Sequence, residues 1–378
     1  MVAGLFSLVL TLGVARFAYT PLLPVMLKET LLSDALGGWL ATINYMGYML
    51  GALIAASISD LQLKDKLYRL GLVVAILSTI GMALAENYLL WSMMRFLAGL
   101  SSATGLLIGS GLILNWLLKH GHRPELGIHF GGLGLGIAVS AGVAMLMVDH
   151  LNWAQQWEVF ALVGLILAIP AWFWVPKPDG TLLTTQGNAL VDNPPLNSWM
   201  RLLFIAYFCA GFGYVITATF LVTIIEQQPN LQGNGNLVWL ITGLAATPAC
   251  VIWDRIARRL NTLKALMLAY GLNILGIVIP VFNSSLPGVM VSGFLFGATF
   301  IGIVSLMLTM VGKFFPTRPA KPMGKLTLSY GVAQIIAPAL SGMLAESTGN
   351  YNTPLLLAAV IMLVGMFFLV LLQMRQQY

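Results

Sequence analysis

Two arginines stand where arginine is rare. Arg16 and Arg95 each interrupt a long apolar run, whereas the rest of the 19 Lys and Arg lie between such runs or beyond them. A guanidinium is a planar fork of donors that matches a carboxylate or a phosphate. Placing one at the centre of a bilayer costs at least ~2.5–3.5 kcal/mol, so each is a functional candidate by default. The first run starts near Val2, and at 1.5 Å per residue Arg16 lies roughly 21 Å along it, ~9 Å short of the far edge of a ~30 Å hydrocarbon core. The fourth run starts near Leu89 on that far side, which brings Arg95 to ~9–10 Å from the same edge. Both guanidiniums are expected at one level. The competing reading is that each snorkels or bonds helix carbonyls and only fixes packing.

The runs that carry these arginines define the architecture. Of 378 residues, 58% are hydrophobic and 8% charged, about a third of the ~25% charged share of a soluble domain. Apolar runs fall near 2–24, 35–57, 69–85, 89–117, 126–147, 157–175, 201–225, 237–252, 263–282, 288–311, 326–344 and 354–372. Each has about the length that crosses a bilayer as a helix, so the expected fold is all-α with twelve transmembrane helices. Alternation in ~10-residue segments is missing, which argues against an outer-membrane barrel. The first run has no basic n-region and no small-residue cleavage site, so it is expected to stay as the first span. Alternate loops and the tail hold sixteen of the 19 basic residues, among them Lys64, Arg69, Lys119, Arg123, Lys177, Arg318 and Lys321, and the opposite loops hold Lys28 alone. That bias places both termini in the cytoplasm, and the net charge of +6 reads as topology rather than a nucleic-acid patch. Cys209 and Cys250 both fall in apolar stretches, which leaves no disulfide framework and no CxxC metal site.

The longest polar stretch, Lys177 to Asn197, contains Pro178, Gly180, Gly187, Asn193, Pro194 and Pro195 and reads as a linker. It divides the chain into six-helix bundles at 1–176 and 199–378, with a cytoplasmic linker at 177–198. The halves resemble each other. Phe96-Leu97-Ala98-Gly99 is answered 198 residues later by Phe294-Leu295-Phe296-Gly297, and Asp60 after span 2 by Asp254 after span 8. Duplicated halves are a mark of secondary transporters, whose substrate site lies between the repeats near the midplane.

At this point the chain resembles the major facilitator superfamily over its full length. Asp254-Arg255-Ile256-Ala257-Arg258-Arg259 is similar to that family's cytoplasmic gating motif, with Ala in place of Gly, and Asp60 with Lys64 and Lys66 is what remains of its first-half counterpart. An acid at a helix end beside short-loop cations would latch neighbouring helices when the cytoplasmic side closes; the plain alternative is a positive-inside loop. Arg95 through Ala103 resembles the family's Arg-x-x-x-Gly-x-x-x-Ala motif, whose arginine is linked to coupling. Gly127, Gly136 and Gly142 resemble the antiporter glycine motif, but Ser140-Ala141 stands in place of Gly-Pro, whereas Ala337-Pro338 in span 11 keeps the proline. Ala15-Arg16-Phe17-Ala18-Tyr19-Thr20-Pro21 and Gly211-Phe212-Gly213-Tyr214 resemble the YbfB/YjiJ-like bacterial branch. The resemblance implies that spans 1, 4, 7 and 10 line a central cavity, with Arg16 and Arg95 on one wall. Tyr214, Thr217 and Thr219 would face them, with Tyr19, Asn44, Trp239 and Gln334 as further contacts. Pro21 and Pro24 are expected to break span 1 just above Arg16.

Acids are missing from mid-membrane: Asp34, Glu86, Asp149, Glu226 and Glu346 fall near outer span ends. Proton coupling would then use Glu226 or Glu346 at the cavity mouth, a proton carried by the solute, or His129 low in span 5. The leading expectation is a monomeric secondary transporter in a bacterial inner membrane, moving a small organic anion with the proton as coupling ion and needing no cofactor. A multidrug or cationic-metabolite exporter is the alternative, and it calls for a cavity acid that the sequence does not supply. Metal import through Met93, Met94, Met307 and Met310 is weaker. An enzyme would need a nucleophile pair or an acid–histidine cluster, and neither is found.

Overall fold

Short polar caps cut the apolar runs into rods. The computed structural model describes residues 2–58, 60–119, 127–175, 177–178, 193–314 and 320–375, without the side chains at 114, 115, 117–119, 128, 320 and 321. Arg123, Arg318, the side chains of Lys119 and Lys321, and most of the expected linker lie outside the described residues. Within them every regular element is helical. The first half comprises α1 (Val2–Glu29), α2 (Asp34–Ser57), α3 (Leu61–Gly81), α4 (Tyr88–Ala103 continuing through Thr104–Gly109 and Ser110–Lys119), α5 (Gly127–Met147) and α6 (Trp153–Phe173). The second comprises α7 (Asn197–Glu226), α8 in two pieces (Gly235–Ala246 and Ala249–Leu260), α9 (Thr262–Phe282), α10 (Leu286–Phe314), α11 (Ala320–Thr348) and α12 (Asn352–Arg375).

The starts follow from side chains that satisfy orphan N–H groups. Ser33 accepts from Leu36 N–H at the head of α2, Asn87 from Leu90 N–H at α4, and Asn152 forms a capping box with Gln155 at α6. Asp60 accepts from the Gln62 and Leu63 N–H groups, so α3 begins at Leu61 rather than near the expected 69. A single residue, Asn261, turns the chain from α8 into α9; its φ of 75° and ψ of 163° form a conformation that side chains rarely adopt, and its side chain caps Lys264 N–H.

Ten of these rods are long and apolar enough to cross a membrane, and α8 makes eleven if its pieces, bent by 49° around Thr247-Pro248, are one span. The twelfth rod, α3, has 21 residues but opens with Lys64, Asp65, Lys66 and Arg69. Arg69 Nε donates to Asp65 at 3.1 Å and its Nη groups reach the Trp172 and Val175 carbonyls, which fastens α3 to the end of α6.

The two halves meet through α1 with α7, α2 with α11 and α5 with α8. The Thr20 hydroxyl donates to the Ala218 carbonyl at 2.6 Å, a separation of 198 residues, so pseudo-equivalent positions of the two halves touch. The same offset relates two tight crossings within the halves: a Cβ on Gly99 would strike the Asn44 carbonyl, and one on Gly297 the Thr242 carbonyl. Thr42 donates to the Ile335 carbonyl at 2.8 Å and accepts from Ala339 N–H at 3.1 Å, while Gly38 lies against the Pro338 carbonyl.

One end of this interface is clamped. On the face opposite the basic loops, Glu346 accepts from the Ser33 hydroxyl and the Ala35 N–H, both at 2.9 Å, and the Tyr351 hydroxyl donates to Asp34 at 2.6 Å. Burial, and then Asp34, hold the Tyr351 phenol well above its ordinary value, so it stays a donor through the alkaline range. No such bond joins the halves at the basic face among the described residues.

Candidate functional site

A cavity of about 450 Å3 occupies the unclamped end of the interface. It runs from Arg16, Phe17 and Tyr48 to Ser110, Phe130, Thr309 and Met323, near the basic-face ends of α4, α5, α10 and α11. Of the sequence-derived candidates, Arg16, Tyr214 and Gln334 lie on its wall; Arg95, Tyr19, Asn44, Thr217 and Trp239 do not.

Arg16 owes its position to an irregular helix. Residues Val9–Phe17 form a π-helix, in which the Ala18 N–H reaches back to the Gly13 carbonyl at 2.8 Å. Such a wide turn leaves carbonyls outside the regular ladder. Two carbonyls of this stretch take donors from α4: the Thr11 carbonyl accepts from the Ser102 hydroxyl at 2.8 Å, and the Ala15 carbonyl from Arg95 Nη1 at 3.1 Å. The expected break at Pro21 and Pro24 does not occur; helix continues through both to Glu29, and the irregularity lies before them. The π stretch already supplies the non-standard turn, and α7 packs against this part of α1 through Thr20.

The two arginines therefore part company. Arg95 is buried with Nη1 on the Ala15 carbonyl, its Nε unpartnered and its guanidinium 4.4 Å from the Tyr19 ring centroid, while its own carbonyl accepts from Asn44 Nδ2 at 2.8 Å. Arg16 lies 4.5 Å from the Tyr45 centroid and 4.8 Å from that of Tyr48, and its Nε has no hydrogen-bond partner. The described ion pairs, Arg69–Asp65 and Arg258–Asp254, involve neither. No carboxylate is among the cavity-lining residues.

The other candidates hold elements together. The Tyr19 hydroxyl donates to the Gly37 carbonyl at 2.8 Å, and Trp239 Nε1 donates to the Ser140 hydroxyl at 3.1 Å across the α5–α8 contact. Thr217 and Thr219 are buried, and the Thr217 hydroxyl has no partner. Glu226 accepts from the Gly233 and Gly235 N–H groups at 2.8 Å within its own half. Asp254 pairs with Arg258 one turn away on an exposed helix face, Asp60 caps α3, and Arg255 and Arg259 make no described ion pair.

Behind the cavity wall, His129 Nε2 lies 2.9 Å from Ser110 Oγ, and Ser110 lines the cavity. The Ser110 hydroxyl donates its one proton to the Leu106 carbonyl, so it accepts from His129, and the buried, unpartnered Nδ1 carries the lone pair. Residues not singled out in the sequence complete the wall: Tyr48, Tyr207, Phe300 and Tyr330. The seven-residue spacing of Tyr207 and Tyr214, two turns of one helix face, was the available signal.

Known proteins agree with this architecture. A crystal structure of the nucleoside transporter NupG superposes with a TM-score of 0.76, covering 98% of both chains at 15% identity. The probable sulfoacetate transporter SauU of Cupriavidus necator is 22% identical over 319 residues, covering 76% of this chain and 73% of SauU. The niacin transporter NiaP of Acinetobacter baylyi is 25% identical over 165 residues; that match spans 44% of this chain and about a third (36%) of NiaP. The family model described as "Uncharacterised MFS-type transporter YbfB" matches residues 8–370, nearly the whole chain. The protein is therefore a multi-pass membrane transporter of the major facilitator superfamily, and belongs to this YbfB family.

Proposed function

We propose that the protein carries a small organic anion across the bacterial inner membrane by alternating access, with the basic-loop face cytoplasmic and the proton as coupling ion. The observation that carries this reading is the place of Arg16: both buried arginines leave Nε unsatisfied, but Arg16 alone of the two lies on the wall of a cavity that has no lining carboxylate. A buried cation without a counter-charge is unfavourable until an anion arrives. SauU and NiaP are named for sulfoacetate and niacin, both acids, which supports the same class. The aromatic walls would also suit a lipophilic cation, but Arg16 repels one. In this reading Arg16, Tyr214 and Gln334 contact the solute, and Arg95, with Tyr19, Asn44, Thr217 and Trp239, positions the helices around it. His129 is the proton acceptor closest to hand, with its bare Nδ1 one residue behind the wall. The Asp60 and Asp254–Arg259 motifs act only when the basic face closes.

Thermal unfolding of purified protein with carboxylates, phosphates, zwitterions and lipophilic cations tests the class, with Arg16→Gln beside wild type. Stabilisation by a carboxylate that disappears in Arg16→Gln is expected. Stabilisation by cations, or by anions equally in both proteins, rejects the anion site.

A further inference from the structure

Both halves present rings to the cavity, Phe17, Tyr48 and Phe130 from the first among them, but only the first contributes a cation. On the second-half side, Phe300, Tyr214, Tyr330 and Tyr207 form a run of rings with successive centroids 5.1, 5.8 and 4.6 Å apart and interplanar angles of 27°, 31° and 35°. Phe296 backs Tyr214 at 6.3 Å and 12°. On the first-half side stands Arg16, seated on Tyr45 and Tyr48. The 198-residue offset between the halves carries Arg16 onto Tyr214, so equivalent positions present a cation on one side and a ring on the other.

A solute that satisfies both walls at once has a single anionic head and a flat π body. We infer that the carried solute is an aromatic monocarboxylate, with its carboxylate on Arg16 and its ring against Tyr214, Phe300 and Tyr330. This inference rests on the organic-anion reading above and narrows it. A dianion would bring a second charge to a wall with one cation among the described residues. An aliphatic acid would leave the ring faces with apolar contact alone, whereas ring-on-ring packing adds about two- to tenfold in affinity beyond area. The cavity, about 450 Å3, lies toward the small end of the ~300–1000 Å3 typical of ligand pockets and suits one or two rings. Such a solute touches both halves, so its binding is linked to their relative position.

The test is calorimetric and thermal-shift titration of the full-length protein in detergent with benzoate, cyclohexanecarboxylate, succinate, orthophosphate and benzylamine. Wild type is expected to bind benzoate about two- to tenfold more tightly than cyclohexanecarboxylate, its saturated counterpart. Phe300→Leu is expected to reduce that preference while keeping both acids, and Arg16→Gln to lose both. The wild-type comparison stands alone if Phe300→Leu misfolds, and Tyr330→Leu then replaces it. Equal binding of the two acids, still dependent on Arg16, overturns the aromatic inference and leaves the anion reading intact. Tighter binding of succinate or phosphate overturns the single-charge claim. Binding of benzylamine alone, or of none of the four anions, overturns both readings.

Discussion

The Arg16 guanidinium is held before any solute arrives. Its central carbon lies over the Tyr45 and Tyr48 rings, which fixes a long side chain that would otherwise lose much rotamer freedom on binding. Arg95 does different work beside it, since its Nη1 closes an open carbonyl of the π-helical turn one residue before Arg16. Arg95→Gln is accordingly expected to cost about 1.5–3 kcal/mol, the range of a charge-assisted hydrogen bond, and to weaken benzoate binding through the loosened turn. Arg95→Lys, which keeps the charge without the fork, should recover part of each; denaturation midpoints and benzoate titration read both effects. That Arg95 comes beside the Arg16 turn agrees with the helical count made from the sequence. Direction was not legible there, because the π stretch turns Arg16 away from where a regular helix would put it, and no residue in Val9–Phe17 announces that geometry.

At the scale of elements, glycine sets how closely helices cross. Gly99 and Gly297 sit at equivalent positions in α4 and α10, each against a carbonyl of the neighbouring helix, and small residues at such crossings are how membrane helices gain contact. Gly99→Ala is expected to reduce the yield and midpoint of folded protein sharply, because the Asn44 backbone cannot yield. Gly142→Ala, where a methyl group meets nothing within 4 Å, should be neutral or slightly stabilising; paired melts of the two variants decide. The repeated Phe-Leu-x-Gly showed in the sequence that the two positions are equivalent, while the carbonyl each one meets is seen only in the folded chain. The aromatic wall escaped notice because Tyr207, Phe300 and Tyr330 come from three helices, and their meeting is a tertiary fact that a linear reading does not contain.

For the whole molecule, the interface is clamped at one end and open at the other, one of the two states that alternating access requires. Glu346 and Asp34 carry three of the bonds that hold the clamp. Removing the first carboxylate with Glu346→Ala is expected to shift the population toward the opposite state, in which the basic face closes over the cavity. Cys250 lies on the cavity wall and Cys209 does not, so maleimide labelling of Cys250 in a Cys209→Ser background reads the shift. A several-fold slower reaction in Glu346→Ala is expected, and an unchanged or faster one would show that the clamp does not set the balance. The duplicated halves and basic-loop bias were plain in the sequence; which end is closed was not, since both states share one chain and differ only in contacts between distant residues.

The uncompensated charge of Arg16 also has an electrical consequence. An empty cavity carries one positive charge partway across the bilayer, and a full traverse of the field is worth about 2.3 kcal/mol per 100 mV. In the orientation proposed above, with the basic face cytoplasmic, a resting potential negative inside would draw that charge inward and favour the empty carrier open at its basic face. A monoanion on Arg16 cancels the charge. Voltage then acts on the unloaded return step, and on the loaded one only through the coupling proton, so an energised membrane would recruit the vacant protein to one side and act on the occupied form by way of that proton alone.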